Sequence, residues 1–138
     1  MGRRRLVLDI SLIARWRGTP VGFLRREQAV AKYALAARPD VAFCVLDSSM
    51  PAYREICRDR VGSLLRWDTV LDASRGARSV YQESNPIGSG DTILTVGNHA
   101  AAEGDVVAAL KQRHGFGYVT MCHDLIPLST HQRDLRVE

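Results

Sequence analysis

The sequence predicts an α/β fold, a Rossmann-like and mainly parallel sheet with helices on both faces. Short apolar runs of strand length, bounded by turn-forming residues, recur along the chain. Between them lie segments whose apolar residues repeat at helical spacing. Strands that alternate with helices pair in parallel through right-handed crossovers. At 138 residues the chain fits one domain, and a 46% hydrophobic content supplies a core and excludes an intrinsically disordered chain.

Leu6–Ile10 is β-rich and reads as a buried first strand. Ser11–Phe23 carries Arg15, Arg17, Gly18, Pro20 and Gly22, which is loop chemistry. From Phe23 to Ala37, Leu24, Ala31, Ala34 and Leu35 recur among good helix formers, so an amphipathic helix is expected, stopped by Pro39. Val41–Leu46 is a continuous apolar run, the mark of a strand buried on both faces. Tyr53–Ile56 is its expected hairpin partner.

Asp59 to about Leu71 places Val61, Leu64, Leu65 and Trp67 on one side of a helical wheel. Arg75–Gly90 reads as a long loop, with a turn at Ser84-Asn85-Pro86. Asp91–Gly97 is a further strand, Asn98–Gly104 a loop, and Asp105–His114 a short helix ended by Gly115. Gly117–Cys122 is the last strand. The sheet is thus expected to hold about four main strands, where a full doubly wound domain uses five or six. Residues 129–138 read as a polar tail, and the chain is expected to be cut short.

The formal charge of +4 is almost all arginine, since Lys32 and Lys111 are the only lysines. Guanidinium forks suit phosphate and carboxylate, but a codon bias toward arginine would give the same excess. Nucleic acid is not an expected partner, because no basic helix or basic-aromatic motif is present. Arg3, Arg4 and Arg5 could touch the inner face of a membrane, although a solvated terminus is the simpler reading. The apolar run behind them is too short for a signal segment or a membrane span, so a cytoplasmic location is expected.

Cys44, Cys57 and Cys122 lack metal spacing and read as reduced and structural. His99, His114, His123 and His131 are scattered, so no metal site is expected. No Gly-x-Ser-x-Gly elbow appears. In open α/β sheets ligands bind beyond the carboxyl ends of the strands, so residues just after each strand are the candidates. After the first strand come Asp9, Arg15, Arg17, Gly18 and Gly22, whose backbone N–H groups could face an anion or merely form a turn. After the last come His123 and Asp124, able to bind hydroxyls or act as a base, or to serve as a spacer and a turn cap. Trp16 and Trp67 could stack on a sugar or base, with core packing the alternative for Trp67.

Leu6–Ser11, Val21-Gly22-Phe23-Leu24-Arg25, Phe43–Asp47, Asp91–Gly97 and Val119–Pro127 follow one another as in bacterial group 1 glycosyltransferases, the retaining class with the GT-B fold. The chain resembles their N-terminal domain over residues 1–128. The resemblance implies a partial acceptor-side half, with an active site between two Rossmann-like domains. It implies transfer of a sugar from a nucleotide-sugar donor to a polysaccharide or lipid-linked acceptor. It assigns the donor to a separate C-terminal domain, so the chain alone is expected to be inactive and to hold no cofactor.

The family's Thr-Gly-Ile-x-Arg loop stands here as Val21-Gly22-Phe23-Leu24-Arg25, without the threonine. Its His-Asp followed by Ile-Pro is matched by His123-Asp124 and Ile126-Pro127. The resemblance therefore gives acceptor-side cleft roles to Gly22, Arg25, His123 and Asp124, and names no catalytic residue. A non-catalytic α/β module that binds a small anion or a partner protein is the alternative.

Overall fold

A computed structural model describes residues 4–16, 22–47, 50–66, 87–97 and 101–121, with the side chains of 101 and 102 excepted. Five strands form one sheet: β1 (Arg5–Asp9), β2 (Val41–Asp47), β3 (Ala52–Ile56), β4 (Asp91–Thr95) and β5 (Gly117–Thr120). The order across it is β3-β2-β1-β4-β5. All neighbours pair in parallel except β2 and β3, which form the expected antiparallel hairpin. Among the described residues four helices accompany the strands: α1 (Ser11–Arg15), α2 (Gly22–Ala37), α3 (Arg58–Leu65) and α4 (Ala101–His114). The fold is α/β and Rossmann-like.

The strands alternate strictly, as the period-2 pleat requires. Leu8, Val41, Phe43 and Val45 face one side, where they pack with Ile13 and Ala14 of α1, Leu24, Ala31 and Ala34 of α2, and Val61, Leu64 and Leu65 of α3. Val7, Cys44, Leu46 and Ile93 face the other, against Val107 and Leu110 of α4 and Phe116. Helices therefore cover both faces, and β1 and β2 are buried on both, which is why they read as unbroken apolar runs.

Three expectations change. Residues read as loop after β1 begin with a helical turn, α1, whose apolar Ile13 and Ala14 are buried. The helix expected from Asp105 begins four residues earlier, at Ala101, because Ala101, Ala102 and Glu103 are helix formers and an interior Gly104 costs only about 1 kcal/mol. The helix expected over residues 59–71 runs over Arg58–Leu65, with Arg66 in the closing turn; Trp67 and Leu71 lie outside the described residues. So do the turn at 84–86, most of the 75–90 loop, Cys122 and the 129–138 tail.

The amino end of the sheet is fastened by arginines. Arg5 grips both carboxylate oxygens of Asp91 at 2.9 Å and reaches Glu55 at 3.0 Å, so it ties β1 to β4 and β3. It is not part of a solvated basic terminus, and its side chain is not available to a membrane. Arg58 donates to the carbonyls of Ala34, Leu35, Arg38 and Val41 at 2.7–3.2 Å and sits 5.3 Å above the Phe43 ring. Its bond to the Leu35 carbonyl satisfies one of the groups that the end of α2 leaves without intrahelical partners. Gly115, at φ 72°, closes α4 in the left-handed region, donating its N–H to the Lys111 carbonyl at 2.8 Å. Among the described residues no helix is long and apolar enough to cross a membrane.

Candidate functional site

The strand order reverses between β1 and β4: β2 and β3 lie on one side of β1, and β4 and β5 on the other. At such a switch point the connections leave in opposite directions and open a crevice at the carboxyl ends. The register sets Asp9 beside Cys44 on one side and Thr95 on the other, with Thr95 beside Thr120. The floor of the crevice is therefore the row Asp9, Thr95, Thr120.

Asp9 is fully buried, and its charge is met by donors from three elements. One oxygen accepts the Ser11 N–H at 2.8 Å and the Ser11 hydroxyl; the other accepts the Thr95 hydroxyl at 3.1 Å and, more weakly, the Tyr53 hydroxyl at 3.4 Å. Ser11 relays further, its oxygen accepting the Leu46 N–H at 2.8 Å. Glu27, on α2, is equally buried and accepts the Ile13 N–H at 2.7 Å. Asp9 and Glu27 thus take two of the orphan N–H groups in the first turn of α1. A five-residue helix is too short to hold itself, so these carboxylates and the burial of Ile13 fix it.

Most of the glycine-containing loop read as a possible anion cradle after β1, residues 17–21, lies outside the described residues. The chain's own carboxylates occupy the N–H groups of Ser11 and Ile13. Arg15, at the end of α1, donates to the Leu46 carbonyl and pairs with Glu103 in the first turn of α4. It spans the crevice from the helix on one face to the helix on the other.

Two phenols meet on the α4 side. Burial drives the Tyr53 hydroxyl far above its ordinary pKa, with the negative charge of Asp9 adding to the effect. Burial also raises that of Tyr118, while hydrogen bonding to Thr95 and Tyr53 pulls the other way. Tyr53 stacks edge-on against Phe116 at 5.7 Å. Both phenols stay neutral, so they act as hydrogen-bonding hydroxyls. Beyond Tyr118 the crevice widens into a groove of about 420 Å³ between α4 and β5.

Gly97, just past β4, has an ordinary backbone conformation but no room for a side chain. A Cβ there would stand 2.6 Å from Glu27 Oε1 and 3.3 Å from Leu12. A second groove, of about 320 Å³, lies at the amino end, but Arg5, Glu55 and Arg58 in its wall already serve structural partners.

Of the residues singled out from sequence, Gly22 opens α2 and is exposed, and Arg25 follows one turn later, also exposed. His123 and Asp124 lie outside the described residues, as do Arg17 and Gly18. Trp16 packs edge-on against Phe23 at 6.1 Å and lies against the core. Cys44 is buried, which pushes its thiol well up, and Cys57 is half-buried; both are free. Among the described residues no three His, Cys, Asp or Glu side chains are placed to hold a metal.

Sequence reasoning missed Ser11, Glu27, Tyr53, Thr95 and Tyr118. Glu27 carried a signal: it falls on the stripe Leu24, Gln28, Ala31, Ala34, where a carboxylate needs a buried partner. The chain matches no family model, no curated protein and no solved structure.

Proposed function

We propose that this chain is the acceptor-side Rossmann-like half of a retaining glycosyltransferase. Its carboxyl-edge crevice faces the hydroxyl groups of a glycan or lipid-linked acceptor, and a separate domain holds the nucleotide-sugar donor. The supporting observation is the state of the first βα turn. Dinucleotide-binding domains present bare N–H groups to a pyrophosphate there. Here Asp9 and Glu27 occupy those of Ser11 and Ile13, and two buried carboxylates would repel a diphosphate. What the crevice offers a ligand is the exposed Thr120, beside Gly97 and Met121, whose hydroxyl matches neutral hydroxyls.

Gly22 and Arg25, exposed at the start of α2, suit contact with the donor side of the cleft. The test is an amide NMR titration of the chain with a neutral oligosaccharide, and separately with UDP- and GDP-sugars. The oligosaccharide is expected to shift Thr95, Gly97, Thr120 and Met121, and the nucleotide sugars to shift nothing. Saturable nucleotide-sugar binding at the α1–α2 end, or sugar transfer by the chain unaided, would overturn the reading.

A further inference from the structure

The groove between α4 and β5 continues the crevice away from the buried carboxylates. Its volume, about 420 Å³, falls within the range of small-molecule sites. Gly97, Thr120 and Met121 form its inner end, at the carboxyl edge of the sheet. Gly104, Val107 and Lys111 line it from α4, on the one face that helical spacing of three and four residues creates. Gly104 lies toward that same inner end, and an added Cβ there would meet nothing within 4 Å. Seven residues at 1.5 Å each put Lys111 roughly 10 Å down the helix from Gly104.

The lining is apolar along its middle and carries one charge. Val107 and the Tyr118 ring form the walls, and Met121 leaves 44% of its surface in water. Lys111 is exposed, no acidic side chain lines the groove, and among the described residues Lys111 makes no ion pair. The helix dipole favours basic residues in the last turn, where Arg113 and His114 also lie, but of these three only Lys111 lines the groove.

We infer that this groove binds a molecule with an apolar or aromatic body and one phosphate. The anion pairs with Lys111, and the hydroxylated end lies roughly 10 Å away beside Gly97 and Thr120. The inference deepens the acceptor reading and rests on it only for naming this ligand as the acceptor. A hydroxyl at the inner end lies in the crevice that faces the donor, and the aglycone lies along α4.

The test is a titration of the ¹⁵N-labelled chain with 2-naphthyl phosphate, and with 2-naphthol as the uncharged control. The phosphate is expected to shift the amides of Gly97, Gly104 and Lys111 and to bind about fivefold more tightly than the alcohol, a gap that Lys111→Gln abolishes. Gly104→Leu, which places a large side chain in the groove, is expected to remove binding of both probes while leaving the spectrum of the free chain folded. Dihexanoyl phosphatidic acid below its micelle concentration separates a lipid source from a soluble aryl phosphate: the tighter binder with the same Lys111 dependence names the source. Equal binding of phosphate and alcohol, shifts mapping elsewhere, or no shift at millimolar probe would overturn the inference. Success here with failure of the oligosaccharide titration would sink the acceptor reading and leave the groove standing; the reverse pattern would do the opposite.

Discussion

The contact between Gly97 and Glu27 couples the end of β4 to α2 and to the first turn of α1, and Gly97→Ala measures it. The new Cβ would stand 2.6 Å from Glu27 Oε1, well inside van der Waals contact, and 3.3 Å from two atoms of Leu12. The backbone there is ordinary, so the cost is one of space alone. Glu27 cannot simply swing away, because it is 1% exposed and its other oxygen holds the Ile13 N–H at 2.7 Å. Overpacking costs about 1–3 kcal/mol, and losing the Ile13 bond leaves a buried donor unpaired at about 1–3 kcal/mol more. The substitution should therefore destabilise the chain by about 2–6 kcal/mol, a large part of a typical domain's stability. Glu27→Ala should cost a comparable amount, yet it removes the atom that the new methyl would strike. Urea unfolding followed by circular dichroism should then show strong non-additivity, with Gly97→Ala costing at least about 2 kcal/mol less in the Glu27→Ala background. Additive effects, or a single Gly97→Ala cost under about 0.5 kcal/mol, would refute the coupling.

Three further outcomes are expected. Burial pushes the Asp91 carboxyl up, but hydrogen bonds from Arg5 and the Gly88 N–H outweigh it and hold the group below the ordinary carboxylate range. Its contribution is present above an unfolded value of about 4 and is lost as pH falls through the lower folded one, so Asp91→Asn should flatten the acid limb of stability against pH; an unchanged limb counts against the Arg5 clamp. The Tyr53 phenol is held protonated by burial, so its contribution is complete below about pH 10 and is lost at higher pH. Tyr53→Phe should make alkaline unfolding shallower, and absorbance at 295 nm showing Tyr53 ionising in the native chain near pH 10 would contradict this. In thiol labelling followed by peptide mapping, Cys57 should react in the native chain and Cys44 only after denaturation, since burial keeps the Cys44 thiol protonated and inaccessible; equal rates would place Cys44 nearer solvent.

The sheet was legible because its signals are local. Val41–Leu46 is apolar without a break because both faces of β2 are covered, and Pro39 and Gly115 end their helices by backbone constraints that need no partner. α1 was not legible, because what fixes it comes partly from outside its own segment. Its first-turn N–H groups are satisfied by Asp9 and by Glu27, fourteen residues beyond Ile13, while the glycines and prolines that follow argue for loop. The site divides the same way. Asp9 could be suspected from its place at a strand end, but Thr95 joins it from 86 residues away and Tyr53 from 44. No spacing rule reports such pairs. Part of the arginine content proved structural: Arg5, Arg54 and Arg58 each bind a fixed carboxylate or carbonyl of the fold.

The sheet buries its carboxylates most deeply at its carboxyl end. At the amino end Arg5 meets Asp91 and Glu55, and Arg58 meets four carbonyls, so charge is spent on closing the structure. At the carboxyl end Asp9 and Glu27 are buried among hydroxyls and N–H groups, an arrangement that costs desolvation. Apolar residues would fill the same space more cheaply, but they would leave the Ser11 and Ile13 N–H groups unpaired and α1 unfixed. With α1 held, Arg15 reaches both the Leu46 carbonyl and Glu103, and the start of α2 is set beside the crevice. The buried carboxylates therefore act as positioning groups for α1, and through it for Arg15 at the carboxyl edge of the sheet.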